Sequence, residues 1–230
     1  MRAALATRVG VLCCMMLVAV AAPSGDVLDR IVATVNGHII LQSDWDEEVA
    51  YEALGNSRGL SVLTPEQRKA ALDHLIDQEL IREEVHTSDF RAATAAEVEQ
   101  RIAEIRKLYA DAADSNSWQQ RLRSFGLDEN ELRNLVQKDL NLLQAINQRL
   151  RPGIEINAQN VEQYYQENLL PQLRQSGAKI VPLADVAPQI RELLAQQRVN
   201  DLLVNWIRTL RSNSKIEVPD PTPQSHGAAH

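Results

Sequence analysis

Cysteine, aromatic residues, glycine and positive charge are all scarce in this sequence, and each shortage excludes a class of answer. The two cysteines, Cys13 and Cys14, are adjacent and sit inside a short apolar run near the start. If that run is removed, no disulfide, thiolate nucleophile or thiolate metal site remains. Phe, Tyr and Trp together make up 4% of the chain and there are nine glycines. That composition suits helices packed through Leu, Ile, Val and Ala. Acidic residues outnumber basic ones, 31 to 24, so the electrostatic footprint of a nucleic-acid binder is missing. After the first run, no apolar stretch is long enough for a transmembrane helix.

That first run has the layout of an export signal. Arg2 and Arg8 form a positive start, Val9 to Val20 is apolar but too short to span a bilayer, and Ala19-Val20-Ala21 offers small residues for cleavage. A buried N-terminal helix is the competing reading. Lipidation is rejected, because Cys13 and Cys14 lie mid-run and Cys13 follows Leu12 rather than a small residue. Cleavage after residue 21 of 230 would leave 209 residues, and losing two arginines would set the net charge at −9. Such a length makes one large domain or two small ones.

The expected architecture is mainly α, with a short N-terminal β-hairpin and a long C-terminal helix followed by a closing strand. Arg30 to Val35 is apolar and β-branched, Asn36-Gly37 is a type I′ turn signal, and His38 to Leu41 can return as a second strand. Ser43 is the expected cap of a helix whose first turn holds Asp44, Asp46, Glu47 and Glu48. Thr64-Pro65-Glu66-Gln67 and Thr94-Ala95-Ala96-Glu97 are capping boxes, the first with proline at the first helical position. Ser117 is expected to open a short helix ending at Gly126. Asp128 to Glu131 caps a helix with a stripe of Leu132, Leu135, Val136, Leu140, Leu143, Ile146 and Leu150. Asn157 caps a helix carrying Val161, Tyr164 and Tyr165, and Pro171, Gly177 and Pro182 mark a connection. A helix from about Ala184 to Arg211 and a strand over Lys215 to Val218 close the chain. Pro219 to His230 reads as a disordered tail.

Catalytic or metal-binding groups do not emerge from spacing. His38, His74, His86, His226 and His230 contain no pair at metal-ligand spacing on one helix face. Asp44, Asp46, Glu47 and Glu48 do not follow a calcium-loop pattern, and a helix N-terminus accounts for them. There is no phosphate-cradling glycine loop, nucleophile elbow or dinucleotide fingerprint. The reading is therefore no catalytic residue, no metal and no cofactor. Trp45, Trp118, Trp206, Tyr51, Tyr164 and Tyr165 could line a peptide groove, but core is the commoner place for each. Residues that bind a substrate stay unassigned.

The segment Asp29-Arg30-Ile31-Val32-Ala33-Thr34-Val35-Asn36-Gly37-His38-Ile39-Ile40, with Ser43-Asp44 after it, resembles the opening of the SurA family of periplasmic chaperones. Leu72 to Ile81 looks like that family's first long helix, and Phe125 to Arg133 looks like a later turn and helix. The resemblance covers most of residues 27–218 and implies one chaperone module over 22–218, with an N-terminal part at 27–170 completed by 182–218. Relatives usually carry an inserted parvulin-type prolyl isomerase domain. Here Val161 to Tyr165 looks like the way in and Pro182 to Val186 the way back, with too few residues between for a domain. The implied function is a periplasmic holdase for unfolded secreted or outer-membrane polypeptides, without ATP and without enzyme activity. The alternatives are a prolyl isomerase-related folding factor and a dedicated envelope assembly partner. A homodimer is left open.

Overall fold

A computed structural model describes residues 29–85 and 91–219. The expected export signal, His86, and the tail from residue 220 with His226 and His230 lie outside the described residues. The first described element is β1, Ile31–Val35, which returns through Asn36-Gly37 as β2, His38–Leu41. Asn36 and Gly37 have φ of 50° and 93°, the left-handed pair that a type I′ turn requires. The other edge of β1 pairs antiparallel with β3, Ile216–Glu217, at the far end of the sequence, with Val35 opposite Ile216 and Thr34 opposite Glu217. The sheet order is thus β2-β1-β3.

Asn36 locks this arrangement. Its amide N–H donates to the Lys215 carbonyl at 2.9 Å, and its side-chain oxygen accepts from the Lys215 N–H at 2.8 Å. The same side chain donates to Glu83 at 2.6 Å and to Ser214 at 3.2 Å. A β-bulge between Ile31 and Ala33 lets consecutive Val32 and Ala33 both be buried. With Val35 and Ile40 they pack on Leu72, Ile76 and Leu80 of helix α2, Pro65–Glu84.

Helix α1, Gln42–Gly55, begins two residues earlier than the sequence suggested. Leu41 is its cap residue and Asp44 accepts from the Leu41 N–H at 2.9 Å. Ser43, expected to be the cap, is already helical, and its hydroxyl instead donates to Asp29. Thr64 caps α2, Thr94 caps α3 (Ala95–Lys107), and Asp128 caps α5 (Glu129–Leu150), each as a reciprocal capping box. Helix α4, Ser115–Ser124, opens before the predicted Ser117, because Asp114 accepts from the Asn116 and Ser117 N–H groups. Leu54, Val98, Ile105, Trp118, Leu122, Phe125 and Leu132 form the core between α1, α3, α4 and α5. Leu143 departs from the predicted stripe and is 45% exposed, being rotated off the face that carries Ala145 and Ile146.

The segment expected to be a connection is largely helical. Helix α6, Ala158–Tyr164, passes through a π turn, Tyr165–Leu169, into α7, Leu170–Ser176, which ends at Gly177 in the left-handed region. Pro171 has no N–H for an ordinary helical bond, and the widened turn precedes it. Helix α8, Leu183–Asn213, then runs about 46 Å at the usual rise. Ile190 packs on Val161, Tyr165 and Leu170; Val199 meets Ile81 and Ile146; and Leu210 reaches the sheet cluster. Arg211 near its end donates to Asp77 at 2.5 Å and to the Asp73 carbonyl at 2.9 Å. Helix α8 thus packs across α2 and α5, and the closing strand pairs with the first one.

Replacing Asn36 by Ala removes three side-chain bonds and puts at positive φ a residue that tolerates the left-handed region less well than Asn, so unfolding in urea should show a loss of about 2–3 kcal/mol. Asn36→Gly keeps the backbone conformation cheap and should lose about 1 kcal/mol less. Equal losses in the two variants would mean that the turn conformation contributes nothing.

Candidate functional site

A cleft of about 480 Å³ opens between β2, α1, α2 and α5. Its apolar surface comes from Ile39, Leu75, Val85, Leu135 and Leu142. Its rim carries Asp44, Glu47, Glu79 and Asp139, with Arg82 and Lys138 among them. Ile39 is 55% exposed, an unusual state for isoleucine on a strand and a consequence of facing this opening. Tyr51 stands at the wall and donates to Asp139 at 3.1 Å. Burial, and then the Asp139 charge, push its phenol upward, so it stays a donor. Glu47 is also raised, by burial first.

Polar residues that are far apart in sequence converge beside the cleft. Glu48 is only 4% exposed and lines the wall. His74 of α2 has its Nδ1 3.0 Å from Glu48 and 3.0 Å from Glu52, and Gln78 donates to Glu48 at 3.3 Å. A second group joins His38 of β2 to Glu79 at 3.5 Å and Glu83 at 2.9 Å. Among the described residues, these two groups bring His and carboxylate atoms within 4.8 Å of one another and could hold a metal ion.

Sequence spacing on a single helix misses both groups, because each is assembled across elements. A trace was present, since Glu48 lies three residues after Trp45 and four before Glu52, in phase with the buried face of α1. The reading of Glu48 as a first-turn acid is corrected: α1 starts at Gln42, so Glu48 falls in its second turn and points inward.

The aromatic residues mostly belong to the core. Trp118 and Tyr165 are buried, and Tyr165 donates to the Val181 carbonyl at 2.7 Å. Trp45 packs under the sheet and donates to the Arg68 carbonyl at 2.7 Å. Trp206 packs with α2 and α5, with the Arg149 guanidinium 4.9 Å over its ring. Tyr51 alone of the six borders this cleft, while Tyr164 lines a separate, more polar depression with Arg198 and Asp201.

A family model of the SurA-like N-terminal domain matches residues 4–146. The chain belongs to the SurA-like N-terminal domain family. The match contains every wall of the cleft, while α6 to β3 lie beyond it. No curated protein matches the chain. No helix among the described residues is long and apolar enough to cross a membrane.

Hydrogen bonds to Glu48 and then Glu52 raise His74 from 6.5 to about 10. The protonated ring is favoured in the fold. Its stabilisation is therefore complete below pH 6.5 and is lost as pH rises through about 10. In chelator-treated samples, wild-type stability should fall over that window by about 1–2 kcal/mol, discounted because the ring is half-exposed. His74→Gln should flatten the profile, as measured by urea unfolding at a series of pH values.

Proposed function

We propose that this protein is a periplasmic chaperone that holds unfolded secreted or outer-membrane polypeptides without ATP, and that it is not an enzyme. The observation that carries the reading is the cleft, whose apolar floor and charged rim lie wholly within the SurA-like match. Unfolded β-barrel chains alternate apolar and polar residues. Ile39, Leu75 and Leu142 can receive the apolar side chains of an extended segment, while Lys138, Asp139 and Arg82 meet its polar ones. Burying a few hundred Å² at about 25 cal/mol per Å² leaves weak, reversible binding once association costs are subtracted. Weak binding suits a holdase, because its client must leave for a more stable place.

The non-enzymatic part rests on the shortness of one internal segment. Residues 166–181, where relatives carry an isomerase domain, hold only the π turn, α7 and a short link. The periplasmic assignment follows the family together with the export-like opening of the sequence.

Light scattering of an outer-membrane β-barrel protein diluted from urea checks the central claim. Near-stoichiometric amounts of the purified protein should suppress aggregation. Ile39→Asp should weaken suppression several-fold while leaving the circular dichroism spectrum and melting temperature close to wild type. A folded protein without effect on any client would sink the holdase reading in favour of one dedicated envelope partner. Refolding of a proline-limited substrate should not be accelerated, and acceleration would overturn the non-enzymatic part.

A further inference from the structure

We propose that His74, Glu48 and Glu52 form a site for one divalent transition-metal ion of the zinc type, clamped between α1 and α2. Glu48 and Glu52 stand one turn apart on α1, and His74 faces them from α2. Both carboxylate oxygens lie 3.0 Å from the same Nδ1. That nitrogen carries at most one hydrogen, which cannot point at two acceptors in good geometry. Two carboxylates so close together also repel each other. A metal ion about 2.0–2.2 Å from nitrogen and oxygen donors places neighbouring ligand atoms about 3 Å apart. Both nitrogen-to-oxygen separations have that size, and all three donor atoms lie within 4.8 Å of one another.

Burial supplies an independent argument. Glu48 is the one charged side chain in the core of the described residues. A carboxylate removed from water requires a compensating cation or a metal. One dication compensates Glu48 and Glu52 together, which a single imidazolium does not. The donor set, one imidazole and two carboxylates, suits zinc or manganese(II) better than soft or purely oxygen-seeking ions. Glu52 and His74 are partly exposed, which leaves an entry path and room for water at the remaining positions. A metal on Nδ1 puts the ring proton on Nε2. The Gln78 amide donates to Glu48 from the same side, so it holds that carboxylate in place as an outer partner of the site.

The His38 group is a poorer candidate because fixed donors already occupy it. Arg82 donates to both oxygens of Glu79, and Asn36 donates to Glu83. At the His74 site, metal binding would pin α1 to α2 and hold the cleft wall at Glu48 and Gln78.

The test is calorimetric titration of the chelator-treated full protein with zinc alone, repeated with cobalt(II) to read its visible absorption. Saturation at one ion per chain is expected, with release of about one proton and a rise in melting temperature of several degrees. Glu52→Gln, a substitution at a partly exposed position, should weaken binding tenfold or more without lowering the melting temperature of the metal-free protein by more than a few degrees. His38→Ala should leave binding unchanged. Absence of saturable binding, equal affinity in Glu52→Gln, or loss of the bound ion in His38→Ala would each overturn the site. None of these readouts depends on aggregation suppression, so the metal site and the holdase reading fail separately.

Discussion

The pairing of the first strand with the last one constrains everything else in this protein. A two-stranded hairpin is marginal in water by itself. β1 becomes a central strand only because Ile216 and Glu217 reach it from the other end of the chain. Asn36 joins the two at the turn, accepting from Lys215 while donating to Glu83 on α2. The return path is α8, which must pass α6, α5 and α2 in succession before its final residues can enter the sheet. The ends of the described chain are therefore interdependent, and the matched N-terminal region is completed by segments outside the match.

This dependence also explains the cleft. β2, α1, α2 and α5 are held apart on one side and together on the other by separate clusters. The sheet cluster fixes α2 against β1, and the cluster around Leu132 and Leu54 fixes α5 against α1. Ile81, Ile146 and Val199 close the far end with α8. Between these anchors Leu75 and Leu142 are only partly buried: each packs against a cluster on one side and lines the opening on the other. An opening so framed is set by three separate clusters and needs no moving part to stay open.

The charged residues near the cleft divide into two kinds. Those at the rim include exposed Lys138 and half-buried Asp139, which accepts from Tyr51. Glu48 is interior to the α1–α2 packing, and the half-exposed His74 is the cationic partner beside it. With Glu52 they make two ion contacts on one imidazole nitrogen, a grouping that could also hold a metal ion.

Much of the architecture was legible in the sequence because its signals are local. Thr64, Thr94, Asp128 and Asn157 cap helices through contacts three residues away, and Asn36-Gly37 dictates its own turn. Local signals misled where a competing partner lay elsewhere. Ser43 lost its capping role to the neighbourhood of Asp29, and Asp114 opened α4 ahead of Ser117. The segment around Pro171 stayed helical because a π turn absorbs the missing hydrogen bond. Helix phase could not decide that Leu143 faces water or that Trp45 and Trp206 are packed inside while Ile39 is exposed. Nor could it bring His74 to Glu48 and Glu52. The sequence by itself determined the type and order of the elements, the Asn36-Gly37 turn and the capping boxes at Thr64, Thr94 and Asp128. Which faces meet, and so where the cleft and its buried charge lie, was decided by tertiary structure, because helix-to-helix orientation depends on contacts that no single segment contains.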